Sequence, residues 1–409
     1  MLPTAVFNMW RTAAGCVAVI LAILLNVQAA DRASKRIADA SSEFSVELLK
    51  TLLKQSKGNA VIAPLSVSTL LAMLQQGAEN STKTQLENVL HTTKEESREG
   101  YGHIIRSLKM RKSKSTLEFG SSVFLNNEFE MAPEYKDILL DDFHANIELI
   151  NFKHSQDAAK QINKWVSQIT KNRIPELVSS DEISPRMQLV LTSAVYFKGV
   201  WTRTFNPNKT YTGKFSPELG IDITIPIMHQ VGRFRAGEDR SLGAKWVELP
   251  FDGDEFSMVL VLPSEKHGLD ALLEKMTARD LSNMLNTRKT KQVILDLPRF
   301  KLAGGTSLIS VLEKLGVTNI FHAEADLRGI SDTKGTLMVS DIIHKAEIEI
   351  NEEGGSASAA SGILVNTLSL MPYADDLTFI ADQPFLAIIV DRVNSVPLFT
   401  GRITDPHTS

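Results

Sequence analysis

Cysteine is almost absent from this 409-residue chain, and the single one, Cys16, lies in an apolar stretch near the start. From Asp31 onward there is no thiol, which excludes disulfides, zinc–thiolate centres and cysteine nucleophiles. An excess of basic charge is also missing. Lys and Arg number 44 against 48 Asp and Glu, a formal net charge of -4, which argues against a general nucleic-acid binder. Catalytic signatures are absent too. There is no phosphate loop, no zincin helix, no serine-hydrolase elbow and no dinucleotide fingerprint. The nine histidines are scattered without ligand spacing, so no metal site is expected. Asp252, Asp254 and Glu255 lack the length and the distal Glu of a calcium loop and read as a solvated turn.

Only one stretch is long and apolar. Arg11 is the sole charge before Asp31, Ala13 to Val27 is predominantly apolar, and small residues follow at Ala29 and Ala30. That order reads as a secretory signal over residues 1–30, leaving residues 31–409 as one secreted, extracellular domain with no membrane partner. Two N-x-Ser/Thr sequons follow on such a route, at Asn80 and Asn208. Composition is globular, 43% hydrophobic and 22% charged, and the chain is long enough to bury a large core without disulfides.

Helical periodicity dominates the first part. Phe44, Leu48 and Leu52 share a face, with Ser41 or Ser42 as the cap and Gly58 as the stop. A second helix is expected after Ser66, and a third carries Ile162, Trp165, Val166 and Ile169. Strand patterns dominate the second part: Leu189 to Phe197, Phe256 to Leu262, Val293 to Leu297, and a closing hairpin of Phe385 to Val390 with Pro397 to Ile403. From Ile343 to Ile350, Ala346, Ile348 and Ile350 alternate with Lys345, Glu347 and Glu349. His344 in that strand reads as a hydrogen-bonded core histidine. The basic group Arg106, Lys109, Arg111, Lys112 and Lys114 reads first as a solvated helix end, with a glycosaminoglycan or other polyanion as the alternative ligand.

One segment fits neither pattern. From Gly354 to Gly362 every side chain is small, with no charge, aromatic or proline. Composition alone would make this a linker, yet it continues a strand and leads into more strands of the same domain. Glu352-Glu353-Gly354 followed by Ala and Ser resembles the hinge of the serpin family. Asn59 to Ser66, Tyr196 to Trp201 with Phe205, Val247 to Phe251, Leu297 to Phe300, His344-Lys345-Ala346, Pro384 to Leu386 and Leu398 to Arg402 are similar to serpin motifs in the same order.

The resemblance implies an α+β serpin fold: three β-sheets, about nine helices and a reactive-centre loop at about 352–378. It implies an inhibitor of serine proteases, not an enzyme, and a monomer without a cofactor. The hinge would comprise Glu352, Glu353, Gly354, Gly355, Ser356, Ala357, Ser358, Ala359 and Ala360, with Arg299 pairing Glu352. Trp201 and Arg299 would take part in sheet opening. Ser66, Ser193 and His344 would form a reduced polar cluster that governs sheet opening, because Ala63 and Ser193 replace the usual Ser and Asn. The family register puts the scissile bond at Leu368-Ser369, with Leu370-Met371 second. Neither Arg nor Lys occurs from Glu352 to Val390, so an apolar primary pocket of chymotrypsin-like or elastase-like type is expected. Gly355, where the family usually has Thr or Ser, costs more backbone entropy in a strand and predicts slower insertion. A non-inhibitory carrier or storage protein is the competing function, and Gly355 is the only feature that favours it.

Overall fold

The computed structural model describes residues 35–55, 57–331, 336–354 and 376–407. Helix α1 covers residues 35–53. It is followed by β1 (Ala60–Ile62), α2 (Pro64–Gly77), α3 (Asn80–Leu90), α4 (Lys94–Met110), β2 (Thr116–Asn126), α5 (Pro133–Asp141), β3 (Asn146–Ile150) and α6 (Ser155–Ile169). Then come β4 (Leu189–Lys198), β5 (Tyr211–Glu218), β6 (Ile221–Asp239), β7 (Ala244–Pro250) and β8 (Phe256–Pro263). Two short helices, α7 (Leu269–Lys275) and α8 (Ala278–Asn286), lead to β9 (Thr290–Pro298), β10 (Phe300–Ser307) and α9 (Ile309–Lys314). Strands β11 (Val339–Ile350), β12 (Leu377–Ile380), β13 (Phe385–Asp391) and β14 (Val396–Ile403) close the chain.

One sheet has five strands in the order β10-β11-β4-β2-β3. Its central pair, β11 and β4, is parallel, with Val339 opposite Leu189 at one end and Ile348 opposite Phe197 at the other. The other strands form a nine-stranded network that β6 ties together. The early part of β6 pairs β5, its middle pairs β9, and its last residues pair β7. The second and third sheets of the expected three-sheet architecture are therefore joined through one long strand.

Burial follows the sequence pattern in β11, where Ala346, Ile348 and Ile350 are buried and Lys345, Glu347 and Glu349 are not. Two helix starts differ from expectation. Helix α1 already includes Ser41 and Ser42, and Ser42 Oγ donates to Ala38 O at 2.9 Å, a bond made inside a helix instead of at its cap. Helix α2 begins at Pro64, ahead of Ser66, because proline is pre-organised for the first helical position and its missing N–H costs nothing there.

Helix α6 lies across the five-stranded sheet. Its Ile162, Trp165 and Val166 pack with Phe124 of β2, Val190 and Ala194 of β4, and Ile343 of β11 in one buried cluster. It settles closely onto β2 at Gly120, where a Cβ would come within 2.6 Å of Ile169 Cγ1. Gly120→Val therefore forces the helix off the sheet. The expected loss is about 1–3 kcal/mol, read as a lower urea midpoint at unchanged slope. A midpoint equal to wild type would show that α6 is not held at this contact.

Candidate functional site: the parallel seam and the hinge above it

Strand β4 is buried almost throughout because α6 covers one face and α2, with Phe256 of β8 and Phe399 of β14, covers the other, which suits its unbroken apolar run. The polar exceptions meet the neighbouring strand. Ser193 stands opposite His344 in the parallel ladder, and Ser193 Oγ lies 2.8 Å from His344 Nδ1. The other ring nitrogen, Nε2, accepts the backbone N–H of Ala63, just ahead of α2, at 2.9 Å. Because Nε2 is an acceptor, the neutral ring carries its proton on Nδ1 and donates it to Ser193. One side chain thus ties β11 to β4 across the seam and both to α2.

Ser66 does not join this group, which corrects the expected cluster. It lines a small cavity with Thr69, Phe119, Gly120 and Ser121. With α2 starting at Pro64, the donor that reaches His344 is the Ala63 backbone, which no side-chain pattern would reveal.

At the upper end of the seam the chain leaving β11 is fastened to the chain leaving β4. Trp201 N–H donates to Glu353 O, and Phe205 N–H to Glu352 O, each at 2.9 Å. Trp201 Nε1 donates to Asn351 O at 2.9 Å, while its ring stacks on Phe251 with centroids 4.4 Å apart. Gly354 has φ +104°, and a Cβ there would come 2.6 Å from Gly199 O and 2.7 Å from Trp201 N. Only glycine fits this close turn without strain.

Glu352 is buried, not the exposed start of a loop. The expected partner is in place: Arg299 Nε donates to Glu352 Oε1 at 2.7 Å, and Arg299 Nη2 donates to the same oxygen. Thr210 Oγ adds a third bond at 2.6 Å. Burial works against the charged carboxylate, but the bonds from Arg299 and Thr210 outweigh it and hold the carboxyl below its ordinary value. Asn351 and Thr210 were not singled out for the hinge, since their roles depend on contacts distant in sequence. The remaining predicted hinge residues, Gly355 to Ala360, and the bond Leu368-Ser369 lie outside the described residues. At the far end, Leu377 and Thr378 belong to β12 and not to the loop.

The other candidate residues separate. Within the basic group, Arg111 grips the fully buried Asp391 with both Nη1 and Nη2, at 2.6 and 3.0 Å, and Lys114 pairs with Asp252 at 2.7 Å. Arg111 is thus an internal anchor, and the group does not act as one exposed stripe. The Asn80 amide donates to Asp326 at 2.7 Å, and its sequon hydroxyl, Thr82, is buried. Asn208 is exposed on a turn (Pro207–Lys209).

Burial pushes His344 down to about 3. Its ordinary value is about 6.5, so as pH falls the unfolded chain takes a proton that the folded ring refuses. Stability contributed by the neutral ring is complete above about pH 6.5 and is lost as pH falls toward 3, at about 1.4 kcal/mol per unit. The Glu352 contribution is lost only below the ordinary glutamate range, so pH 7 to 5 separates the histidine from Glu352. Unfolding free energy should decline across that interval, and the decline should shrink in His344→Asn. Equal slopes in the two proteins would refute the assignment.

A family model described as serpin (serine protease inhibitor) matches residues 39–406. Ipis-1 of Ixodes persulcatus is 34% identical over 367 residues, covering 88% of this chain and 97% of that relative. Leukocyte elastase inhibitor of Bos taurus is 32% identical over 380 residues, covering 91% and 100%. The crystal structure of Manduca sexta serpin-12 matches with a TM-score of 0.82 at 34% identity, over 90% of this chain and 99% of that one. The family match spans the seam, the hinge anchor and both sheets, and the leukocyte elastase inhibitor and serpin-12 are inhibitors by name. The chain belongs to the serpin family of serine protease inhibitors.

Proposed function

We propose that this chain is a secreted, monomeric inhibitor of a serine protease with an apolar primary pocket. The protease cuts Leu368-Ser369, and the freed segment from Gly355 onward inserts between β11 and β4. A signal over residues 1–30 directs secretion, residues 31–409 form the inhibitory domain, and Asn208 is the better placed of the two glycan acceptors.

One observation carries this reading: β11 and β4 are direct parallel neighbours, and the chain leaving β11 is held at the end of β4. A segment turning back from β11 would run antiparallel to both strands. It would replace one parallel ladder with two antiparallel ones, which are slightly more stable per residue. Each added ladder bond contributes about 0.5–1.5 kcal/mol. Alternate side chains would enter the buried face, and Gly355, Ala357, Ala359 and Ser361 are all small. A bulky or charged side chain there would be costly to bury. The ladder must first part, breaking the Ser193–His344 bond and the turn at Gly354. The lack of Arg and Lys from Glu352 to Val390 supports the apolar specificity.

Incubation with chymotrypsin or an elastase followed by a denaturing gel tests the reading. The expected result is a complex that survives denaturation, with a released peptide beginning at Ser369. A peptide beginning at Met371 would keep the mechanism and move the bond. Cleavage without a stable complex would overturn inhibition. Gly355→Ser should reduce the moles of inhibitor consumed per protease inactivated, and an unchanged stoichiometry would remove the role given to Gly355.

A further inference from the structure

A cavity of about 320 Å³ opens between β6, β7 and β8 and the segment that follows β4. Strand register explains its wall. Arg235 stands opposite Glu248, Glu248 opposite Val259, and Pro250 opposite Ser257. Residues two apart share a face, so Arg233, Arg235, Glu248, Pro250 and Ser257 all project to this side. Arg392, after β13, and Arg203, after β4, close the rim.

Charge here is unbalanced. Four guanidiniums line the cavity, from Arg203, Arg233, Arg235 and Arg392, against the carboxylates of Glu248 and Asp254. Glu248 is buried and shared: Arg392 Nε is 3.2 Å from one oxygen and Arg235 Nη1 is 3.4 Å from the other. Arg233 Nη2 donates to Thr290 Oγ at 3.2 Å, and Arg203 lies over the Phe234 ring at 5.9 Å. Arg392 also donates to Leu285 O at 2.8 Å, which fixes its position. An excess of arginine in a partly enclosed site with apolar walls focuses a positive field and suits planar, bidentate recognition of an oxyanion.

Two further features favour a ligand over a structural ion network. Ser257 is 1% exposed, and its Oγ has no hydrogen-bond partner among the described residues. A buried hydroxyl left unpaired costs stability, and such groups in native structures call for an explanation. Pro250 adds apolar wall beside the cationic one, and Phe234 and Phe256, which alternate to the opposite face, line the cavity from the core side. A concave, largely apolar site with a few convergent polar groups is the usual form of a small-molecule pocket, and this volume lies at the lower end of that range.

The geometry points to a binding site for a small amphiphilic anion: a carboxylate, sulfonate or phosphate head on a compact apolar body. The head is held by Arg233 and Arg235 with a bond to Ser257, and the body lies against Phe234, Phe256 and Pro250. None of the residues lining the site belongs to the segment 355–375. Thr202 N–H donates to Pro250 O at 3.0 Å, so the pocket wall and the segment that holds the hinge share a strand end.

Calorimetric titration of the protein with naphthalene-2-sulfonate tests this. One site per chain is expected, with affinity at least about tenfold above that for inorganic sulfate or the uncharged 2-(hydroxymethyl)naphthalene. Arg203→Gln with Arg233→Gln, both exposed, should weaken binding about tenfold with the melting temperature retained. Ser257→Ala should raise the melting temperature of the free protein, by removing an unpaired hydroxyl, and yet weaken binding. Sulfate binding as tightly would reduce the site to surface charge. The uncharged analogue binding as tightly would reduce it to apolar adsorption. Affinity unchanged in the arginine variant would place the binding elsewhere, and a sulfated oligosaccharide binding more tightly at the same residues would make it a polyanion site. Each of these outcomes overturns the proposal.

Discussion

Two neighbouring strands that run the same way, β4 and β11, set the terms for the rest of this molecule. Sequential antiparallel strands can be joined by a tight turn, but parallel neighbours cannot. Here β11 follows β4 by about 140 residues of intervening structure, so the pair forms only when the whole fold is assembled. Its lock is correspondingly long-range. His344 on β11 reaches Ser193 on β4 and the backbone ahead of α2, and α6 packs over both strands with Ile343 in the same cluster as Val190 and Ala194. A polar bridge at the centre of an apolar sheet is costly unless fully satisfied, and both nitrogens of this ring are satisfied.

The hinge above the seam has a different character. Two bonds go from backbone to backbone, between residues 352–353 and 201–205, the Trp201 indole adds a third to Asn351 O, and one buried carboxylate is held by Arg299 and Thr210. Stacking of Trp201 on Phe251 and the bare backbone at Gly199 and Gly354 let the two chain ends approach closely. These contacts are specific but few, and Trp201, Phe205 and Phe251 seat them on the large apolar cluster that holds the sheets together. A chain without disulfides concentrates its stability in such clusters, leaving the hinge as a local fastening whose release need not unfold the core.

The cationic cavity on β6, β7 and β8 shares this economy of long-range construction. Its arginines are brought together from after β4, from β6 and from after β13, and a single buried Glu248 organises two of them. Through Thr202 and Pro250 it touches the same strand end that holds the hinge. Two features with separate chemistry are therefore mechanically close.

Sequence by itself determined the elements whose burial is periodic. The alternation of Lys345, Glu347 and Glu349 with Ala346, Ile348 and Ile350 dictates an amphipathic strand, and the unbroken run from Leu189 dictates a strand covered on both faces. Ordered motifs along the chain were enough to identify the family and to pair Arg299 with Glu352. What sequence could not supply was anything carried by the backbone or by distant pairing. Ser41 and Ser42 look like caps but lie within a helix, and Ser66 looks like a partner of His344, a place taken by a backbone N–H of Ala63. The left-handed turn at Gly354, the burial of Glu352 and the convergence of Arg233, Arg235 and Arg392 were decided only by tertiary structure. The physical reason is common to all of them: a backbone donor has no residue type to read, and strand pairing brings together residues whose separation along the chain bears no relation to their distance in space.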